Sequence, residues 1–299
     1  MSKCETRFSV PVDLTNPGQF FACCGLLEVA HRLWRGAQGW FDGDGNAFCI
    51  GTAGEPCGLK DIVAQLARAN LEGDLSEEER QDLDNLEKRK RDPTNEGGPL
   101  SSEEEKRRKS LGKRQREGAI RVGKPFNLRI GWWEENSDDV PKTFAGQQKV
   151  LRMVSALHRQ IEKAIQDARP FEYRCLLHDE KGKKVEPFYF DAERFAHALD
   201  AGFSLDKHEE RLRAMAAPLT ELLALIGLQR FRPRPVNGKR WWFEYFTWTQ
   251  PLGVSVAAAV ACGAVPLVRT RGFRFRLQFR DDQKRYKAFG IATQIGGDT

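Results

Sequence analysis

Arg271-Gly272-Phe273-Arg274-Phe275-Arg276-Leu277-Gln278-Phe279-Arg280 alternates without a break. In an extended chain Phe273, Phe275, Leu277 and Phe279 fall on one side and Arg274, Arg276, Gln278 and Arg280 on the other, the period-two signature of a half-buried strand. One face goes to a core and the other presents cations. Strands of this kind belong to antiparallel sheets. The expected fold is therefore α+β, an antiparallel sheet core with flanking helices and an inserted charged helical hairpin. Alternate arginines on such a strand stand about 6–7 Å apart, near the phosphate spacing of an extended nucleic-acid strand. The competing use of the same arginines is pairing with acids on a neighbouring strand.

Charge favours the first use. Residues 229–290 hold thirteen Lys/Arg against three acids, a local excess of ten, while the whole chain carries only +6. The other residues are therefore net acidic, and the positive charge is concentrated in one place, which points to a polyanion partner. Upstream of the alternating strand lies Arg230-Phe231-Arg232-Pro233-Arg234-Pro235, then Lys239-Arg240-Trp241-Trp242-Phe243-Glu244-Tyr245-Phe246-Thr247-Trp248. Arginine beside exposed tryptophan or tyrosine supplies phosphate neutralisation together with base stacking. Some of these aromatics must instead be core.

The 299 residues, 40% hydrophobic, are enough for a sizeable core. Seven cysteines without a CxxC pair make neither a disulfide framework nor a zinc site, and reducing cytoplasm is the expected compartment. The N-terminus has no signal-peptide pattern. The apolar run 252–268 is too short and too rich in Ala and Gly to span a bilayer, so a buried helix ending near Cys262 is expected and no membrane partner.

Three parts are expected along the chain. Residues 1–74 hold a strand, a buried helix started by Asn16-Pro17 and running to Trp34, and a hairpin over 36–51. The hairpin turn Asp42-Gly43-Asp44-Gly45-Asn46 begins like a calcium loop, but Ala47 and Ala53 stand where that loop needs Gly and Glu, so a plain turn is expected. Residues 75–119 form a mobile, charged helical insertion. Its 76–118 segment contains twelve acids and twelve bases, with capping boxes at Ser76-x-x-Glu79 and Ser101-x-x-Glu104, and has too few apolar positions for a core of its own. Residues 120–299 make the α+β body: a strand over 125–133, a long helix over 146–168, a second hairpin over 171–190 and the basic C-terminal region. Gln147 and Gln148 sit at the start of the long helix, where backbone N–H groups suit a phosphate.

No Walker loop, dinucleotide fingerprint, G-x-S-x-G elbow or H-E-x-x-H is present, and no cofactor is expected. His178-Asp179 sits at a hairpin tip without scaffolded partners, so no metal is expected either. His158 or His178 could serve a metal-free ribonuclease.

Five islands carry a resemblance. Val12-Asp13-Leu14-Thr15-Asn16-Pro17-Gly18-Gln19-Phe20-Phe21-Ala22-Cys23-Cys24-Gly25-Leu26-Leu27-Glu28 resembles the N-terminal motif of a CRISPR-associated family of type I-U (type I-G) systems. So do Thr143-Phe144-Ala145-Gly146-Gln147-Gln148, Ile226-Gly227-Leu228-Gln229-Arg230-Phe231-Arg232-Pro233, Tyr245-Phe246-Thr247-Trp248 and Gln283-Lys284-Arg285-Tyr286-Lys287-Ala288-Phe289-Gly290. The resemblance implies a Cascade subunit, large-subunit-like or repeat-associated, assembled with other subunits on CRISPR RNA, with target DNA cut by a recruited helicase-nuclease. It implies no catalytic residue. The expected contacts are phosphates on Arg274, Arg276, Arg280, Lys284, Arg285 and Lys287, with Arg230, Arg232, Arg234, Lys239 and Arg240 extending the surface. Trp241, Trp242 or Tyr245 would stack on a base, and Gln147 or Gln148 would add polar contacts. The alternatives are a metal-independent endoribonuclease that matures CRISPR RNA and a pure assembly protein whose basic surface meets acidic subunits.

Overall fold

A computed structural model describes residues 6–52, 58–92, 94, 98–131, 140–144, 148–193, 215–265, 270–279 and 287–296. At its centre is the helix α1 (Pro17–Leu33), buried from Pro17 to Ala30. Asn16 caps it, its side chain accepting from the Gly18 N–H at 3.0 Å, and Pro17 supplies the preset φ of a first helical residue. The same amide reaches a distant segment, donating to Asp191 at 2.7 Å and accepting from the Ala192 N–H at 3.0 Å.

Two antiparallel sheets share this helix. The first has the order β1 (Thr6–Pro11), β3 (Ala47–Gly51), β2 (Gln38–Phe41), β9 (Leu252–Gly253). Its hairpin β2–β3 is closed by a plain turn in which Asp42 Oδ1 accepts from the Asn46 N–H at 2.8 Å. The second runs β11 (Lys287–Phe289), β10 (Gly272–Phe279), β8 (Trp242–Phe246), β7 (Arg234–Pro235), with β12 (Thr293–Ile295) also on β10. Phe20 stacks on Phe41 at 5.5 Å and on Tyr245 at 4.3 Å, while Phe21 meets Phe275 and Phe289 edge-on at 6.4 and 6.2 Å. Adjacent phenylalanines of one helix therefore reach both sheets. The back of α1 packs on α7 (Pro218–Gly227), a helix buried along its whole length.

A third, small sheet joins β4 (Leu71–Glu72), β5 (Ile120–Val122) and β6 (Leu128–Ile130). Between β4 and β5 project α3 (Glu77–Arg91) and α4 (Ser102–Glu117), each with its capping box formed. Arg89–Glu104 at 2.7 Å, Lys90–Glu105 at 3.0 Å and Arg107–Asp82 at 2.7 Å zip the two helices together. Leu83 and Leu111 find a partner outside the helices, Leu75, and the three form a small cluster at the hairpin's base.

The helix expected over 146–168 is shorter and divided into α5 (Val150–His158) and α6 (Ile161–Ala164), broken at Arg159 and Gln160. There the Arg159 guanidinium donates to the His178 carbonyl at 2.8 Å, tying the break to the 177–185 turn. That turn is narrower than the predicted hairpin: bridges at His178↔Lys184 and Cys175↔Ala216 replace extended strands. α2 (Leu59–Arg68) and α8 (Val254–Ala261) are short amphipathic or apolar helices against the core, the latter ending at Cys262 as expected.

Candidate nucleic-acid interface

The β8–β10 register decides which predicted cations face outward. Arg274 lies opposite Glu244, Arg276 opposite Trp242, and on the far side of β8 Arg234 also lies opposite Glu244. Directly opposed residues share a face. Glu244 is therefore clamped from both neighbouring strands: Arg274 donates at 2.9 and 2.5 Å and Arg234 at 2.5 Å, with the carboxylate only 5% exposed. Burial pushes the Glu244 carboxyl up, but the two guanidinium groups outweigh it and hold the group below its ordinary value.

Arg274 and Arg234 are thus bound to the sheet's own carboxylate, the competing use foreseen for alternating arginines. Arg230 is similarly committed, donating at 2.6 Å to Glu28, a buried carboxylate of α1 that also accepts from Arg32 at 2.9 Å. Tyr245 requires an outright correction: it is fully buried, its hydroxyl donates to the Leu14 carbonyl at 2.6 Å, and its ring lies between Phe20 and Phe273. It faces the core because it alternates with Glu244 and Phe246, so it cannot stack on a base.

What remains outward lies at one end of the sheet. Arg276 is exposed beside half-buried Trp242, and no described carboxylate bonds it. Lys239, in the 236–242 turn closed by Val236 N–H to Trp242 O at 3.0 Å, places its ammonium 5.9 Å from the Trp242 ring. Trp241 is held at φ +68°, a conformation that costs a bulky residue about 1–3 kcal/mol. Its carbonyl accepts from the Leu277 N–H at 2.9 Å, and its ring carries Arg240 at 4.8 Å and Lys287 at 3.9 Å. Trp241 thus carries two cations close to its ring, whereas Trp242 has Lys239 at the longer distance of 5.9 Å. Arg232 is exposed on the segment between Arg230 and Arg234. Gln148 lies half-buried ahead of α5, and Gln147, Arg280, Lys284 and Arg285 lie outside the described residues.

The face retains net positive charge. Two guanidinium groups share one carboxylate in the clamp, and Arg276 and Lys239 add to the surplus. Sequence reasoning missed Glu244 as the keystone. The signal was present as one acid within a run of cations and aromatics, but only the register shows which arginines it takes.

The histidines considered for ribonuclease chemistry are placed separately. His158 Nε2 lies 2.7 Å from the Leu66 carbonyl, and burial lowers its pKa more than that bond raises it. His178 sits at the turn bridged to Lys184. Among the described residues no group of three His, Cys, Asp or Glu is arranged to hold a metal ion, and no helix is long and apolar enough to cross a membrane.

Described residues of the five islands meet one another. Phe20 stacks on Tyr245, Phe21 meets Phe289, Glu28 binds Arg230, and the Lys287 N–H donates to the Thr143 carbonyl at 3.4 Å. No family model, no curated protein and no solved structure matches the chain.

Proposed function

We infer that the chain is a non-catalytic subunit of a type I-U/I-G CRISPR interference complex, binding guide RNA or target DNA through the outer face of the β8–β10 sheet beside other Cascade subunits. The observation that carries the binding reading is the Arg276–Trp242–Lys239 grouping, two cations flanking a half-buried indole at one end of the β8–β10 pair. Phosphate neutralisation with base stacking needs that combination. The clamped arginines serve the same surface indirectly, by fixing β8 against β7 and β10 while leaving a net positive field. The family assignment rests on the five islands, which supply mutually packed core positions.

The test is fluorescence anisotropy with labelled single-stranded RNA and duplex DNA over a salt series. The Arg276→Ala/Lys239→Ala double variant should flatten the slope of log affinity against log salt by roughly one unit per lost phosphate contact. Trp242→Ala should weaken binding by about 1–3 kcal/mol with the slope kept, since stacking releases no counterions. A wild-type chain that binds neither ligand at low salt would remove this reading and turn the face toward a protein partner.

A further inference from the structure

A second basic surface lies away from that sheet. A groove of about 460 Å³ opens between the base of the α3–α4 hairpin, the outer face of α5 and the 179–183 turn. Seven Lys/Arg side chains and three carboxylates line it, an excess of four cations. None of its lining residues belongs to the β8–β10 face.

The pairing inside the groove separates structural from available charge. Arg152 binds Asp179 at 2.9 Å, and Arg159 binds Glu180 at 3.4 Å and the His178 carbonyl, so α5 holds the turn in place. Asp179 also accepts from the Lys181 and Lys183 N–H groups at 3.0 and 2.8 Å, which fixes the turn's backbone. Across the groove Arg114 binds Asp74 at 2.8 Å and Glu79 at 2.6 Å, anchoring α4 to the other wall. All three lining acids are therefore consumed by arginines that build the walls. Lys149, Lys181 and Lys183 are exposed, and no described carboxylate bonds their ammonium groups. Lys149 at the N-cap of α5, Arg152 within it and Arg159 at its C-cap line the same wall, and Leu151 and Ile120 supply an apolar floor.

We propose that this groove binds single-stranded nucleic acid, the three lysines taking successive phosphates and the apolar floor taking sugar or base. Unpaired ammonium groups on preformed walls act as point charges for phosphate, and a cleft with an excess of positive charge attracts a polyanion. The cavity lies in the size range of small-ligand sites, enough for a short piece of one strand. This gives the charged insertion a place in binding as one wall of the groove, through the base of its two helices.

The experiment uses the full chain, fluorescein-labelled oligouridine, a salt series, and mapping of ultraviolet crosslinks. The K149E/K181E/K183E variant should lower affinity at least about tenfold at low salt and reduce the salt slope by about 2, as expected for three lost contacts on a single strand. K149R/K181R/K183R should restore the slope, and both variants should keep the wild-type melting temperature because none of the three lysines is buried. Crosslinks should fall at 149–159 or 179–183. Slope and affinity unchanged in the glutamate variant would overturn the groove and assign its lysines to an acidic protein partner; if R276A/K239A still loses binding, the sheet-face reading survives. Loss in the glutamate variant with full binding by R276A/K239A would establish the groove and defeat the sheet face. A wild-type chain that does not bind oligouridine would overturn the groove directly.

Discussion

At the scale of single residues, the molecule spends arginine in two ways that sequence does not separate. Arg274 and Arg276 are two positions apart on one strand, each between apolar residues and on the same face. One meets Glu244 across β8 and becomes structural; the other meets Trp242 and stays exposed. Glu244→Gln should accordingly cost about 1–2 kcal/mol in urea unfolding, less than a fully buried pair because Arg234 and Arg274 are 48% and 32% exposed. The pH dependence follows from the net lowering of its pKa. The carboxylate's contribution is complete above the unfolded carboxyl value, about 4.3, and is lost as pH falls through the lower folded value. The stability gap between wild type and E244Q should therefore be widest near neutral pH and close in acid. A gap independent of pH would show that Glu244 acts through packing instead of charge.

At the scale of elements, the charged insertion shows how a segment with little apolar content holds a shape. The capping boxes at Ser76 and Ser101 were legible because they are local, set by residues three apart. The pairing of the two helices was not, since Arg89–Glu104 and Arg107–Asp82 depend on how the helices cross. Bonds from Arg89, and from Arg108 and Lys90, hold the Glu104 and Glu105 carboxyls down at about 2. Surface pairs of this kind each contribute little and are screened by salt. The zip should be complete above the unfolded carboxyl value and fail as pH falls through about 2. Hydrogen exchange read by mass spectrometry should show protection across 77–117 falling in acid or in about 1 M salt before α1 and α7 open. Simultaneous loss in all three places would mean that the Leu75–Leu83–Leu111 cluster, rather than the ion pairs, decides hairpin stability.

At the scale of the whole molecule, the two large sheets are joined through α1, whose back crosses α7. The crossing is close because a Cβ at Gly25 would overlap the Leu223 carbonyl and one at Gly227 would overlap the Phe21 carbonyl. Gly25→Ala should destabilise the whole domain by about 1–3 kcal/mol, lowering the urea midpoint and any nucleic-acid affinity together, since backbone must shift to make room. Gly43→Ala, in open space at the β2–β3 turn, should stay within about 0.5 kcal/mol of wild type. Equal stability of the two variants would show that the helices are not in the contact described. Elements whose signal is periodic or local were legible from the residues alone: α1 with its Asn16-Pro17 start, the β2–β3 hairpin, the capped α3 and α4, and the alternating β10, hence the α+β class. So was the cationic excess. Tertiary structure alone decided which cations are spent. Glu28 reaches Arg230 across 202 positions and Glu244 reaches Arg274 across 30, while Tyr245 turns inward to Leu14. Alternation assigns a side chain to one of two faces; whether that face meets a carboxylate, a ring or water depends on strand register and helix crossing, which arise from contacts between residues far apart in the chain.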